Sequence, residues 1–333
     1  MAPVGTTAPR RASATAGAGS GGATAPTAVP PSRAARARRR DRAPLLLLLP
    51  AGLVLTGVTV VPIGFLVFTS FTDYDQRTLF TGAYSVVGLQ QYVTLLGDEE
   101  FWASLVRTVL FTAAMVAGSV VIGMGVSHLM TRVGRAWRYA MTVVLILAWA
   151  MPNVASSLVW NWLFQPGYGV VNWLLAQLGV FGDTTDLNWA EDPALAYTAI
   201  WLLIVWQAVP FIALTLNAAE TQVPAEHQEA ARLDGAGELL VYRAVTLVFL
   251  RPTLLLITIL SVIWDYNVFN QIWLVSRGGP GDSTSTLGVF TYVTAFVGFD
   301  IGLGAAISVV TTLLLLAMTA VYIRSLLRAG EDL

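Results

Sequence analysis

Residues 224–240 read Pro224-Ala-Glu-His-Gln-Glu-Ala-Ala-Arg-Leu-Asp-Gly-Ala-Gly-Glu-Leu-Leu240, a polar insert between long apolar runs. Pro224 suits the first turn of a helix, where its missing N–H is not needed. Ala230 and Ala231 are strong helix formers. Gly235 follows Asp234 and can adopt φ > 0, which marks a stop or sharp turn. The pattern predicts a short helix, a turn and a second short helix. Small residues at 230, 231, 235 and 236 leave backbone open to close approach by another protein. Glu229 and Asp234 add fixed charges. The pattern alone equally fits an amphipathic helix lying on a membrane surface, or a plain connecting loop.

The chain around this insert is unlike a soluble domain. Of 333 residues, 56% are apolar and 12% charged, against about 25% charged in a typical soluble protein. Mean hydropathy is +0.67. Residues 1–32 are mainly Ala, Thr, Pro, Gly and Ser, a composition expected to stay disordered because it cannot bury enough apolar surface to offset ordering entropy. A basic cluster, residues 33–42, precedes an apolar run from Pro44 to about Thr72, too long for a signal-peptide core. About 20 residues suffice to cross the hydrocarbon. Five further runs follow, at 103–130, 138–164, 194–219, 249–275 and 301–323. The expected fold is all-α: a polytopic membrane protein with six transmembrane helices and a cytoplasmic helix-turn-helix between helices four and five, which the resemblance described below would make a coupling element. The last run begins with small residues (Ile301-Gly302-Leu303-Gly304-Ala305-Ala306), which favour close packing.

Arginine placement sets the expected orientation, since basic loops are retained in the cytoplasm. Eight Arg lie before the first run, and Arg132, Arg135, Arg138, Arg232, Arg243, Arg251, Arg324 and Arg328 fall on the same side. Arg77, Arg107 and Arg277 fall on the other, where the loops are acidic (Asp98, Glu99, Glu100, Asp183, Asp186, Glu191, Asp192). Both termini and the 220–251 loop are therefore expected in the cytoplasm. The corresponding segments are a tail at 1–43, a membrane domain at 44–328 and a short end at 329–333.

Several chemistries are excluded. The chain has no Cys, so no thiolate metal site or Cys nucleophile. All 19 basic residues are Arg, so it has neither a Walker A lysine nor a Schiff-base lysine. His128 and His227 are far apart and form no HExxH pair. A net charge of −1 argues against a nucleic-acid partner. The basic segment 33–42 reads as a topology signal and a site for anionic membrane lipid.

Glu229-Ala230-Ala231 followed by Asp234-Gly235-Ala236 resembles the EAA motif of ABC importer permeases. Pro224 and Arg251-Pro252 fit the same frame, which lies about 100 residues from the C-terminus as in that family. Trp160-Asn161-Trp162-Leu163-Phe164 with Gly169 and Asn172, then Trp206 with Pro210-Phe211, then Gly278-Gly279-Pro280, resemble the sugar-type, maltose-like branch in order. The resemblance spans roughly 44–328. The family commonly has Pro where Val248 stands and Phe where Tyr242 stands. The resemblance implies a binding-protein-dependent system in the bacterial inner membrane. Its other parts would be a second, related permease chain, two ATP-binding subunits carrying ATP and Mg, and an extracytoplasmic solute-binding protein. This chain would hold no cofactor, metal or catalytic residue. Glu229, Ala230, Ala231, Asp234, Gly235 and Ala236 would dock on the ATPase.

Asp265 is the carboxylate placed well within a span. An Asp at a helix centre costs about 2.5–3.5 kcal/mol to insert, so it faces a cavity or a partner. At 100° per residue, Trp264, Asp265 and Val268 share one arc, and Asn267, Asn270 and Gln271 lie on another, roughly opposite. Two polar faces are then expected, one for a wet path and one for a second subunit. The resemblance implies that Trp264, Asp265 and Val268 line a sugar site, with Trp206, Gln207, Ala208 and Phe211 of span four. Trp149, Trp160 and Trp162 are weaker candidates, since Trp also gathers in interfacial belts. The family commonly has an amide at the Asp265 position. Arg107, near a span end, is expected to snorkel to the interface. The resulting expectation is a permease subunit for a neutral di- or oligosaccharide. A polyamine, phosphate or amino-acid cargo keeps the same frame, with Asp265 then binding a cation. An ATP-independent channel or a membrane enzyme is the reading from a different class.

Overall fold

A computed structural model describes residues 43–179 and 182–331. The expected tail lies outside the described residues but for its last position. The chain is all-α. Helix α1 (Leu46–Thr69) contains a π turn at Thr56–Val60. Leu46, Leu49, Val54, Val58 and Val61 along it are exposed, as a lipid-facing or subunit-facing helix requires. The others, in chain order, are α2 (Gln76–Thr81), α3 (Gln90–Leu96), α4 (Glu99–Arg132), α5 (Arg135–Trp149), α6 (Asn153–Leu163), α7 (Val170–Leu178), α8 (Pro193–Glu220), α9 (Ala225–Leu233), α10 (Glu238–Tyr266), α11 (Asn270–Val275), α12 (Leu287–Val297) and α13 (Ile301–Glu331).

Among the described residues, five helices are long and apolar enough to cross a membrane, or six if the bent pair α5 and α6 counts as one span. That pair departs from the expected uninterrupted run at 138–164: it turns by 98° between Trp149 and Asn153. Pro152 has no N–H to donate and disfavours helical backbone at Met151, so the helix stops and restarts. A second departure is in the 249–275 run. Helix α10 ends at Tyr266, Asn267 leaves the helical region at φ −98°, ψ 15°, and α11 begins three residues later.

The long helices begin where their sequences supply caps. Asp98 accepts from the Glu100 N–H, and Glu99, Glu100 and Arg132 complement the α4 dipole. Asp192 accepts from Leu195, with Pro193 in the first turn of α8. Apolar residues surround α8 on all sides, so it becomes the central helix; Ala199, Ile200, Leu203, Ala213 and Leu216 are fully buried. It packs along α4, where Gly118 lies under Trp201 and Gly123 under Ile212 with no room for a Cβ. Phe111, Met115, Ile200, Ile204, Ile272 and Val289 close this core. Thr108 fixes the start of α12 by accepting the Leu287 N–H at 2.8 Å.

The small residues opening α13 pack closely, as expected. Ala305, Ala306 and Ile307 are buried, and a Cβ on Gly302 would overlap the Thr72 carbonyl oxygen. Gly302→Ala therefore forces backbone apart. Overpacking of this kind costs about 1–3 kcal/mol, and a lowered melting temperature of the purified protein in detergent is expected. An unchanged melting temperature would contradict the packing.

Residues 182–192 fold against Asn172, whose side chain donates to the Leu187 carbonyl at 2.8 Å and accepts from Trp189 Nε1 at 2.6 Å. Arg107 reaches back toward the start of α4 and pairs with Glu100 at 2.5 Å, its side chain 25% exposed.

Candidate functional site

Both helix breaks open onto one cavity of about 530 Å³. Non-helical backbone at membrane depth is tolerated only where it is buried in protein or lines a wet cavity. The break after α5 brings Trp149 and Asn153 to its wall, and the break after α10 brings Trp264, Asp265, Asn267, Val268, Asn270 and Gln271. Helix α8 adds Gln207, Ala208 and Phe211. The two opposed arcs expected on span five are therefore corrected. Helical periodicity ends at Tyr266, and the residues assigned to opposite faces converge on the same space.

The lining has three parts. Phe211 lies between two indoles, stacked with Trp149 at 6.1 Å and edge-on to Trp264 at 5.3 Å. Three amides form a directed chain: Gln271 Nε2 donates to Gln207 Oε1 at 3.1 Å, and Gln207 Nε2 donates to Asn153 Oδ1 at 3.3 Å. Asp265 is 7% exposed, and its buried Oδ2 has no hydrogen-bond partner among the described residues. A buried carboxylate oxygen without a donor is costly, and this one lies beneath the surface of the wall. No Arg or His lines the cavity. Its volume is in the range of small-molecule sites, about 300–1,000 Å³, and it combines apolar rings with a few polar groups as such sites do.

Of the expected site residues, Trp264, Asp265, Val268, Gln207, Ala208, Phe211 and Trp149 meet in this cavity. Trp206 lies outside its lining and packs on Trp160, ring centroids 5.6 Å apart, while Trp160 donates to the Ala199 carbonyl. Trp162 is exposed. Asn153 and Gln271 join the wall unforeseen. The signal for Asn153 was Pro152 within an apolar run; Gln271 was noticed but placed on the wrong arc.

The second candidate site is the elbow formed by α9 and the turn after it. Pro224 is the N-cap of α9 rather than its first helical residue. At the other end the Gly235 N–H donates to Arg232 O and the Ala236 N–H to Ala231 O, both at 3.0 Å, with Gly235 at φ +86°. This pair of bonds is a Schellman cap, which needs a left-handed residue. Glu229, Ala230, Asp234 and Gly235 are exposed, as is Leu233 at 89%. The expected second short helix is the first turn of α10, continuous with the span. His227 packs on Phe249, rings 5.4 Å apart, and Arg232 donates to Glu238 at 2.8 Å, which raises the arginine's pKa. Among the described residues no cluster of metal-ligating side chains occurs.

Residues 119–328 match the family described as "Binding-protein-dependent transport system inner membrane component". The chain belongs to this family. It is 40% identical over 304 residues to the diacetylchitobiose uptake system permease protein DasB of Streptomyces coelicolor, covering 89% of this chain and 92% of that one. It is 32% identical to the sulfoquinovosyl glycerol transport system permease protein SmoG of Agrobacterium fabrum, over 84% of this chain and 89% of the relative. It is 30% identical to the trehalose/maltose transport system permease protein MalF of Thermococcus litoralis, over 84% and 92%. A crystal structure of a bacterial ABC transporter that imports the acidic polysaccharide alginate has the same fold, with TM-score 0.74, 17% identity, and coverage of 89% and 99%. The chain is thus a sugar-type ABC importer permease subunit and a multi-pass inner-membrane protein. It works within a multi-subunit, binding-protein-dependent system.

Proposed function

We propose that this permease carries a neutral di- or oligosaccharide through the cavity between the α5–α6 and α10–α11 breaks. The ring- and amide-lined cavity, in which Asp265 is the one ionisable lining residue among the described residues, supports this reading most strongly. Sugar hydroxyls donate to Asp265. Trp264 and Phe211 cover the apolar face of a sugar ring, Gln207 contributes its amide, and Val268 shapes the wall. Trp206 acts behind the wall through Trp160. Diacetylchitobiose, trehalose and maltose, named for two of the relatives, are neutral. A polyamine would bring several positive charges to a cavity lined by one carboxylate, and phosphate would meet no cation there.

In this reading α5 and α6 form one span, giving six across residues 44–328. Residues 1–43, residues 329–333 and the 220–251 loop are cytoplasmic. Glu229, Ala230, Ala231, Asp234, Gly235 and Ala236 dock on a separate ATPase. Two ATP-binding subunits carrying ATP and Mg, a second permease chain and an extracytoplasmic binding protein complete the importer. ATP drives uphill transport only by favouring one cavity state through differential contacts. The test is ATP hydrolysis and uptake by the reconstituted complex with its receptor across a panel of neutral, acidic and cationic solutes. Stimulation by neutral saccharides is expected. Stimulation by cations or acidic sugars alone would contradict the proposal.

A further inference from the structure

The elbow joins α8 through residues 221–224 and α10 through residues 234–237. The second joint holds Gly235 and Gly237, so a push on the elbow can be spent in bending it. The elbow also has a non-covalent connection. The Glu238 carboxylate is shared: Oε1 accepts from Arg232 Nε at 2.8 Å, and Oε2 accepts from Arg132 Nη2 at 2.6 Å. Arg232 belongs to the elbow helix and Arg132 is the last residue of α4. Arg132 is itself held, its Nε donating to His128 Nε2 at 3.1 Å, and the His128 ring packs on Tyr242 at 4.4 Å.

We propose that the Arg132–Glu238 pair is a strut carrying elbow movement into α4, which makes both positioning residues for coupling. Helix α4 is bound closely to α8. Trp201 and Ile212 fill the space over Gly118 and Gly123, and Trp201 Nε1 donates to the Ala114 carbonyl at 2.9 Å. Helix α8 carries Gln207 and Phe211 to the cavity. The strut thus gives a route from elbow to cavity wall that bypasses the flexible joint. Partly exposed ion pairs add little to stability, so the strut acts on direction of movement and not on folding. A pathway of this kind needs measured coupling rather than proximity.

The inference rests on the elbow docking proposed above. The experiment uses the complete reconstituted importer and reads saccharide moved per ATP hydrolysed. Arg132→Gln and Glu238→Gln are each expected to lower that ratio about fivefold, the low end of common coupling strengths, with ATP hydrolysis retained. The double variant is expected to be no worse than Glu238→Gln alone, because that change has already removed the contact Arg132 makes. Arg132→Lys, which keeps the charge, is expected to retain most of the ratio. Hydrogen exchange at residues 128–132 gives a reading independent of transport: faster exchange in Glu238→Gln supports the strut, and unchanged exchange overturns it. Single variants with the wild-type ratio, or a double variant showing the product of the two defects, also overturn it while the proposed function stands. A wild-type complex that hydrolyses ATP and moves no saccharide overturns both.

Discussion

Gly235→Asp is expected to abolish most uptake while ATP hydrolysis continues. The residue holds the left-handed φ of +86° that closes the Schellman cap. Asp tolerates that region better than most side chains, at about 1 kcal/mol, and a Cβ there meets nothing within 4 Å. The chain itself therefore has little reason to reject the substitution. A docked ATPase does, because a charged side chain then projects from the tip that must approach its groove. Uptake is expected to fall at least about tenfold, the loss of a coupling free energy within the usual 1–3 kcal/mol, with normal membrane insertion. Uptake in vesicles and ATPase activity of the purified complex separate the effects. Unchanged uptake would remove the elbow tip from the docking surface.

Asp265→Ala is expected to weaken uptake while leaving assembly intact. A hydrogen bond to a charged group contributes about 1.5–3 kcal/mol, and each 1.4 kcal/mol is about tenfold in affinity. A tenfold or greater loss of apparent affinity follows if Asp265 accepts from the saccharide. The chain should not become less stable, since Oδ2 has no partner among the described residues and removing the carboxylate relieves about 2.5–3.5 kcal/mol of insertion cost. Asp265→Asn, which keeps an acceptor, is expected to fall between the two. Uptake measured over saccharide concentration, with complex yield measured in parallel, checks this. A yield that collapses with the alanine variant would instead place Asp265 in a subunit contact.

Much of this architecture is legible in the sequence because apolar runs and caps are local signals. The long runs, the αL turn at Gly235 and the close packing of Gly302 and Gly304 all follow from residue type and spacing. The cavity was less legible because it is made by departures from periodicity. Asn267 and Gln271 fell on the opposite face from Asp265 only while α10 was taken as unbroken; once it stops at Tyr266 they share one wall. Pro152 announced the other break, but not that a 98° turn would carry Asn153 to Gln207. Trp206 shows the converse: its position in span four pointed inward, yet packing on Trp160 turns it behind the wall. The shared Glu238 carboxylate joins residues 106 apart in the chain, a pairing that no spacing rule supplies.

The chain contains no cysteine, so one introduced at exposed Ala230 labels the elbow alone. The decisive measurement is its reaction with a maleimide in the assembled importer, with and without ATP, against the isolated chain. The elbow account predicts strong protection in the complex, changing with nucleotide, and cross-linking to the ATPase. Labelling at the free-chain rate in every state would contradict it.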